Sequence, residues 1–237
     1  MPYDITFHPV DPADLQRFVF DVWSAPALAE ERATELCPDD EGKRRFVLEA
    51  LYAPFAGWRE TVEGGRAADL PFGRTLALVC AAVAGYRHDF FYGGASALSF
   101  AAERLPDFGG VTPIGEVFEQ ARELDRTGGR LDGNYSASGL WSPTRFEGLR
   151  AGLEALEQTR ASEPSLFSLF IGDERDALLG ALAYAEARGL ALLEAADLVE
   201  PSRRCGSTDL DRLRARPPRS ANPEAPLREL FPCRRSP

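Results

Sequence analysis

Lysine is nearly missing from this sequence. Lys43 stands alone beside 26 arginines in 237 residues. That skew reads as coding composition rather than a binding site, because arginines that grip nucleic acid concentrate on one element. Histidine occurs twice, as His8 and His88. Structural zinc takes about four Cys or His ligands in recognisable pairs, and no such pairs occur. Glycine pairs stand at 64–65, 93–94, 109–110 and 128–129. None of them forms G-x-x-x-x-G-K-[ST], or G-x-G-x-x-G after a strand, and glycine forms turns cheaply. We therefore expect no metal and no cofactor. The four cysteines, Cys37, Cys80, Cys205 and Cys233, contain no C-x-x-C. A disulfide framework is not expected at this density, and Cys80 reads as a small core residue within an apolar run. The opening "MPYDITFHPV" lacks a basic region followed by a long apolar stretch. The longest apolar run, Leu76 to Gly85, is about half of the roughly 18–20 residues that span a bilayer. These absences point to a cytoplasmic protein with reduced thiols and no membrane contact.

What is present suits a globular fold. Apolar residues make up 44% of the chain and charged residues 27%, and 15 Phe, six Tyr and three Trp can fill a core. The length allows one sizeable domain, or a domain with an appendage.

Charge divides the chain. Residues 203–237 hold nine Arg against four acidic residues, and residues 1–202 hold 18 basic against 33 acidic. A body with a net −15 repels phosphate backbones and attracts a basic partner. Nucleic-acid contact is not expected of the body and is open only to the arginine-rich tail. Seven prolines from Pro201 onward, with little apolar content, give that tail an irregular or disordered composition. The expected division is an acidic helical domain over residues 1–201 and a Pro/Arg-rich tail over 202–237.

The body reads as mainly α, with about seven or eight helices and room for one small two-stranded β element. "YDITFHPV" alternates, with Tyr3, Ile5 and Phe7 on one face, the period of a half-buried strand. Asp11 then caps a helix with Pro12 in its first turn and Leu15, Phe18, Val19 and Val22 as its stripe. A second helix runs from Pro26 to Leu36. Asp39 or Asp40 caps a third, whose stripe is Phe46, Val47, Leu51 and Tyr52. Residues 55–73 read as a loop with at most one turn around Trp58. Leu76 to Ala84 is apolar nearly all round, as in a helix at the centre of a domain. "ASALSFAAERL" reads as a further helix. Thr112-Pro113 opens another, with Ile114, Val117, Phe118, Ala121 and Leu124 on its buried side. Ser142-Pro143 opens one with Phe146, Leu149, Leu153 and Leu156. Asp173 caps a last one, which Gly189 stops. The start of "LALLEAADLVEP" is a candidate strand to pair with residues 3–8.

Catalytic signals are thin. "YRHDF" sets His88 beside Asp89, but adjacent residues on a helix point apart. A Ser-His-Asp site would need a serine on a G-x-S-x-G elbow, which "GGASALS" and "GNYSASG" do not supply. An enzyme, a hydrolase or transferase, would use His88 with Asp89 or Tyr92. Two stretches suit recognition better. "YRHDFFYGG" offers Tyr86, Arg87 and Tyr92, and Tyr and Arg are favoured binding anchors when exposed. Asn134, Tyr135, Ser136 and Trp141 form a second set, in what reads as a connecting loop before the Ser142-Pro143 helix.

The order "YDITFHPV", "AGYRHDFFYGGASALSF", "GNYSASGLWSPTRFEGLRAGLEAL" and "ALAYAEARGLALLEAADLVEP" resembles uncharacterised bacterial accessory or immunity-like proteins of toxin systems. The resemblance covers most of residues 3–201. It implies a cytosolic, acidic, helical protein without chemistry of its own, and carries over no catalytic residue. The reading favoured by the sequence is a non-enzymatic protein that binds a basic protein partner through an acidic surface and aromatic loops.

Overall fold

The computed structural model describes residues 5–54, 57, 70–94, 112, 114–122, 136–162 and 175–196. The turn expected near Trp58, the helix "ASALSFAAERL", the Asp173 cap and the tail lie outside these residues.

The architecture is mainly helical, as the sequence indicates. Strand β1 (Ile5–Val10) comes first and Pro12 ends its run. Asp11 caps α1 (Pro12–Leu15) by accepting from the Ala13 amide at 2.9 Å. The helix widens into a π turn, Gln16–Phe20, and resumes as α2 (Asp21–Ser24). A 3-10 turn at Pro26 leads into α3 (Ala29–Leu36). Of the two capping candidates Asp40 is the cap: it accepts from the Lys43 amide and opens α4 (Glu41–Phe46). A second π turn, Val47–Tyr52, extends α4.

Helix α5 (Leu70–Arg87) begins inside the stretch read as a loop. Its apolar body overrides the punctuation at Pro71 and Gly73, since proline is tolerated in a first helical turn. Strand β2 (Phe91–Gly94) follows. Two four-residue helices, α6 (Ile114–Val117) and α7 (Glu119–Arg122), replace the single helix expected there. Ile114 and Phe118 are buried but Val117 is exposed, so one member of the expected stripe faces outward. Strand β3 (Ser136–Trp141), α8 (Phe146–Thr159), α9 (Arg175–Glu186) and β4 (Ala191–Ala196) complete the described elements. Among them no helix is long and apolar enough to cross a membrane.

The expected pairing of the first strand with the last segment forms: β1 runs antiparallel to β4, with His8 opposite Leu193. Two further strands flank that pair, giving a four-stranded antiparallel sheet in the order β2-β1-β4-β3. Helices cover both faces. Ile5, Phe7, Trp141 and Leu192 pack with α8 and α9. Val10, Leu140, Ala191, Leu193 and Ala195 pack with the N-terminal helices and α5. All six residues of β1 are therefore buried, where alternation alone had suggested a half-buried strand. Burial on both faces also explains how "ALLEAA", rich in helix formers, becomes β4: tertiary packing overrides intrinsic propensity.

Candidate functional site

The segment "YRHDFFYGG" leaves the core at the end of α5, and its residues scatter rather than converge. Tyr86 is buried, so it is a core residue and not the exposed anchor the sequence suggested. Arg87 turns toward α1. Its Nε donates to Asp14 Oδ2 at 3.0 Å, and its guanidinium lies 5.6 Å from the Phe18 ring centre. Both contacts are internal, so Arg87 ties α5 to the first helix. The His88 amide closes the last turn on the Ala84 carbonyl. The His88 ring meets Tyr184 of α9 edge-on, with ring centres 6.3 Å apart. Asp89 is exposed. Phe91 also meets Tyr184 edge-on, at 5.9 Å, and Arg188 lies over the Tyr184 ring face at 3.8 Å. Tyr184 thus gathers a cation and two rings at the seam between α9 and β2. Tyr92 is paired through its backbone with Thr6 of β1.

The second recognition set resolves differently. Asn134 and Tyr135 lie outside the described residues. Ser136 starts β3, opposite Ala196, and the pairing with β4 shifts register between Ala137 and Leu140. The stretch read as a connecting loop is thus an irregular edge strand, bridged on its other side by Thr112 to Leu140. Trp141 is fully buried under α8 and α9, which removes it from any exposed set. Its Nε1 has no hydrogen-bond acceptor among the described residues, a polar cost accepted for the bulk of the indole in the core.

The sequence reading passed over His8. It is fully buried on the α5 side of β1 and stacks on Phe90 at 5.3 Å. Its Nε2 lies 2.9 Å from Thr6 Oγ1, whose hydroxyl reaches the Ala195 carbonyl at 3.4 Å. With the Thr6 proton directed to that carbonyl, His8 Nε2–H donates to Thr6 Oγ1 and Nδ1 is left as a bare acceptor. Burial lowers the His8 pKa to about 3, so the ring is neutral. The available signal was its place in β1 opposite Ile5 and Phe7, but only a covered second face turns that place into burial.

Tyr52 is a further buried polar group with a defined partner. Its phenol donates to the Phe18 carbonyl at 2.8 Å. Burial pushes its pKa up, Cys37 and Glu35 add to that, and Arg32 opposes it. Cys80 inside α5 is likewise pushed up, to about 12, by burial alone, so it is an inert thiol. Among the described residues no group of three or more His, Cys, Asp or Glu side chains could hold a metal ion.

Exposed acids outnumber exposed bases in both helical layers. Residues 5–54 carry ten acidic against five basic residues. Seven of those acids are exposed: Asp11, Glu30, Glu31, Glu35, Asp39, Glu41 and Glu49. Only Arg17 and Arg45 among the bases are exposed to that degree, whereas Arg32, Lys43 and Arg44 are partly buried and paired with neighbouring carboxylates. The opposite layer, α8 with α9, carries five acidic residues against Arg150 and Arg175, with Glu147, Glu154, Asp176 and Glu186 exposed, and exposed Arg145 and Arg160 stand at the two ends of α8. There Arg150 forms a two-pronged bridge to Glu186 at 3.0 and 2.7 Å, which lowers the Glu186 pKa and raises that of Arg150.

Comparison with protein-family models, with curated proteins and with solved structures matches nothing.

Proposed function

We propose that this is a non-enzymatic binding protein whose acidic N-terminal helical layer holds a basic protein partner. The observation that carries the reading is the excess of exposed acid on the N-terminal layer. Seven exposed carboxylates over residues 5–54 stand against two equally exposed bases, whereas the α8–α9 layer with its flanking turns has four against two. Such a face attracts a cationic partner and raises its association rate. The Arg87 and His88 contacts support the same direction, because their visible partners are structural: an ion pair with Asp14 and the ring of Tyr184. An immunity-like role beside a basic toxin fits this surface and the resemblance noted above.

The test is capture of partners on the immobilised full chain at low and high salt. The expected result is one stoichiometric basic protein, held at low salt and released at high salt. Triple reversal of Glu30, Asp39 and Glu49 to Lys should abolish that capture. Reversal of Glu147, Glu154 and Asp176, exposed on the opposite layer, should leave it unchanged. Capture that survives the first set of reversals would overturn the reading.

A further inference from the structure

The acidic layer contains two π turns in neighbouring helices. In Gln16–Phe20 the Asp21 amide closes the turn on the Gln16 carbonyl, five residues back. In Val47–Tyr52 the Ala53 amide closes on Leu48 in the same way. A π turn is rare in a helix, and it concentrates where helices do more than pack. Here one buried hydrogen bond joins the two: the Tyr52 phenol, from the second turn, donates to the Phe18 carbonyl in the middle of the first. The Phe18 ring is in turn flanked by Arg17 and Arg87, with guanidinium carbons 5.9 and 5.6 Å from its centre.

A π turn amounts to one extra residue in an α-helix. That residue can pass from one turn to the next, and each residue passed rotates by roughly 100° about the axis. Shifts of this kind run on the microsecond-to-millisecond scale and move between discrete packings rather than continuously. A wide turn stays where specific contacts favour it. In this protein each turn's placement is read by the other, because sliding either one pulls Tyr52 from Phe18.

We propose that the two π turns are one coupled register device, with the Tyr52–Phe18 hydrogen bond as the coupling. When the turns shift together, exposed Arg17 and Glu49 rotate relative to the acids of α3 and α4. The layer then has two charge registers to offer a partner. That use rests on the acidic-layer reading, whereas the coupling does not.

The first test is NMR relaxation dispersion on the unmodified full-length chain. Amides of Gln16–Phe20 and of Val47–Tyr52 should show exchange with one shared rate constant, and amides of β1 and β4 should show none. In Tyr52→Phe the two turns should relax at different rates. Amide hydrogen exchange in both should rise about tenfold, as expected for one lost hydrogen bond, with β1 and β4 unchanged. Flat dispersion in the unmodified turns, or two unrelated rate constants there, overturns the proposal. So does a Tyr52→Phe effect confined to residues 47–52. Should that variant not fold, dispersion on the unmodified chain decides alone. These readouts are taken without a partner and on chains that keep every acidic residue, so the two readings fail separately.

Discussion

His8 sits between two hydrogen-bonded strands with its ring against Phe90, and it can only be neutral there. In the unfolded chain it titrates near its ordinary value of 6.5, and in the folded chain near 3. The unfolded state therefore binds more protons between these limits. Stability from this group is full above about pH 6.5 and is lost as pH falls toward 3, by up to about 1.4 kcal/mol per pH unit. Urea titrations between pH 6.5 and 5 lie above the range of ordinary carboxylates, and comparison with a His8 variant isolates the effect. His8→Phe, which keeps a flat ring beside Phe90, should flatten that slope. An unchanged slope would mean that His8 is not the group responsible. The same residue shows where sequence reading ends. Alternation along β1 places Ile5 and Phe7 on one face, but whether the face of Thr6 and His8 meets water depends on α5, some 70 residues away. Tyr86 and Trp141 were misjudged for the same reason. Each looks like an exposed anchor beside polar neighbours, and each is buried by a distant element.

At the scale of elements, starts and stops were legible because capping is local chemistry. Asp11 before Pro12, Asp40 before α4, Ser142 before Pro143 and Gly189 after α9 all sit where their residue types place them. Asp11→Ala should cost about 1 kcal/mol through the loss of its bond to the Ala13 amide, measured by thermal or urea unfolding. Gly189 has φ of +64°, and a Cβ there would meet nothing within 4 Å. The cost of Gly189→Ala is therefore conformational only, about 1 kcal/mol. A much larger loss would mean a steric clash that the structure does not contain. Leu149 of α8 is fully buried against the sheet, and Leu149→Ala should cost about 2–5 kcal/mol in the same assay. Strands β2 and β3 were not legible. Each is short, glycine-containing and irregular in register, and each exists because β1 or β4 offers it a free edge. The π turns were equally hidden, since their helical stripe fits an ordinary α-helix, and the extra residue shows in the bonds from Asp21 to Gln16 and from Ala53 to Leu48.

At the scale of the whole molecule, the sheet separates two helical layers, of which the N-terminal one carries more of the exposed acid. The mainly helical class, the pairing of β1 with β4 and the excess of acid could all be read from the sequence. That more of the exposed acid lies on the N-terminal layer could not, because it depends on which helices share a layer and which bases are paired within it. The central claim is that this face, and not net charge alone, holds a basic partner. The most direct measurement compares capture of that partner by two variants of equal net charge: Glu30, Asp39 and Glu49 reversed to Lys in one, and Glu147, Glu154 and Asp176 reversed in the other. The account predicts that the first loses the partner and the second retains it with the salt dependence of the unmodified chain. Equal loss in both variants, or retention in both, would contradict it.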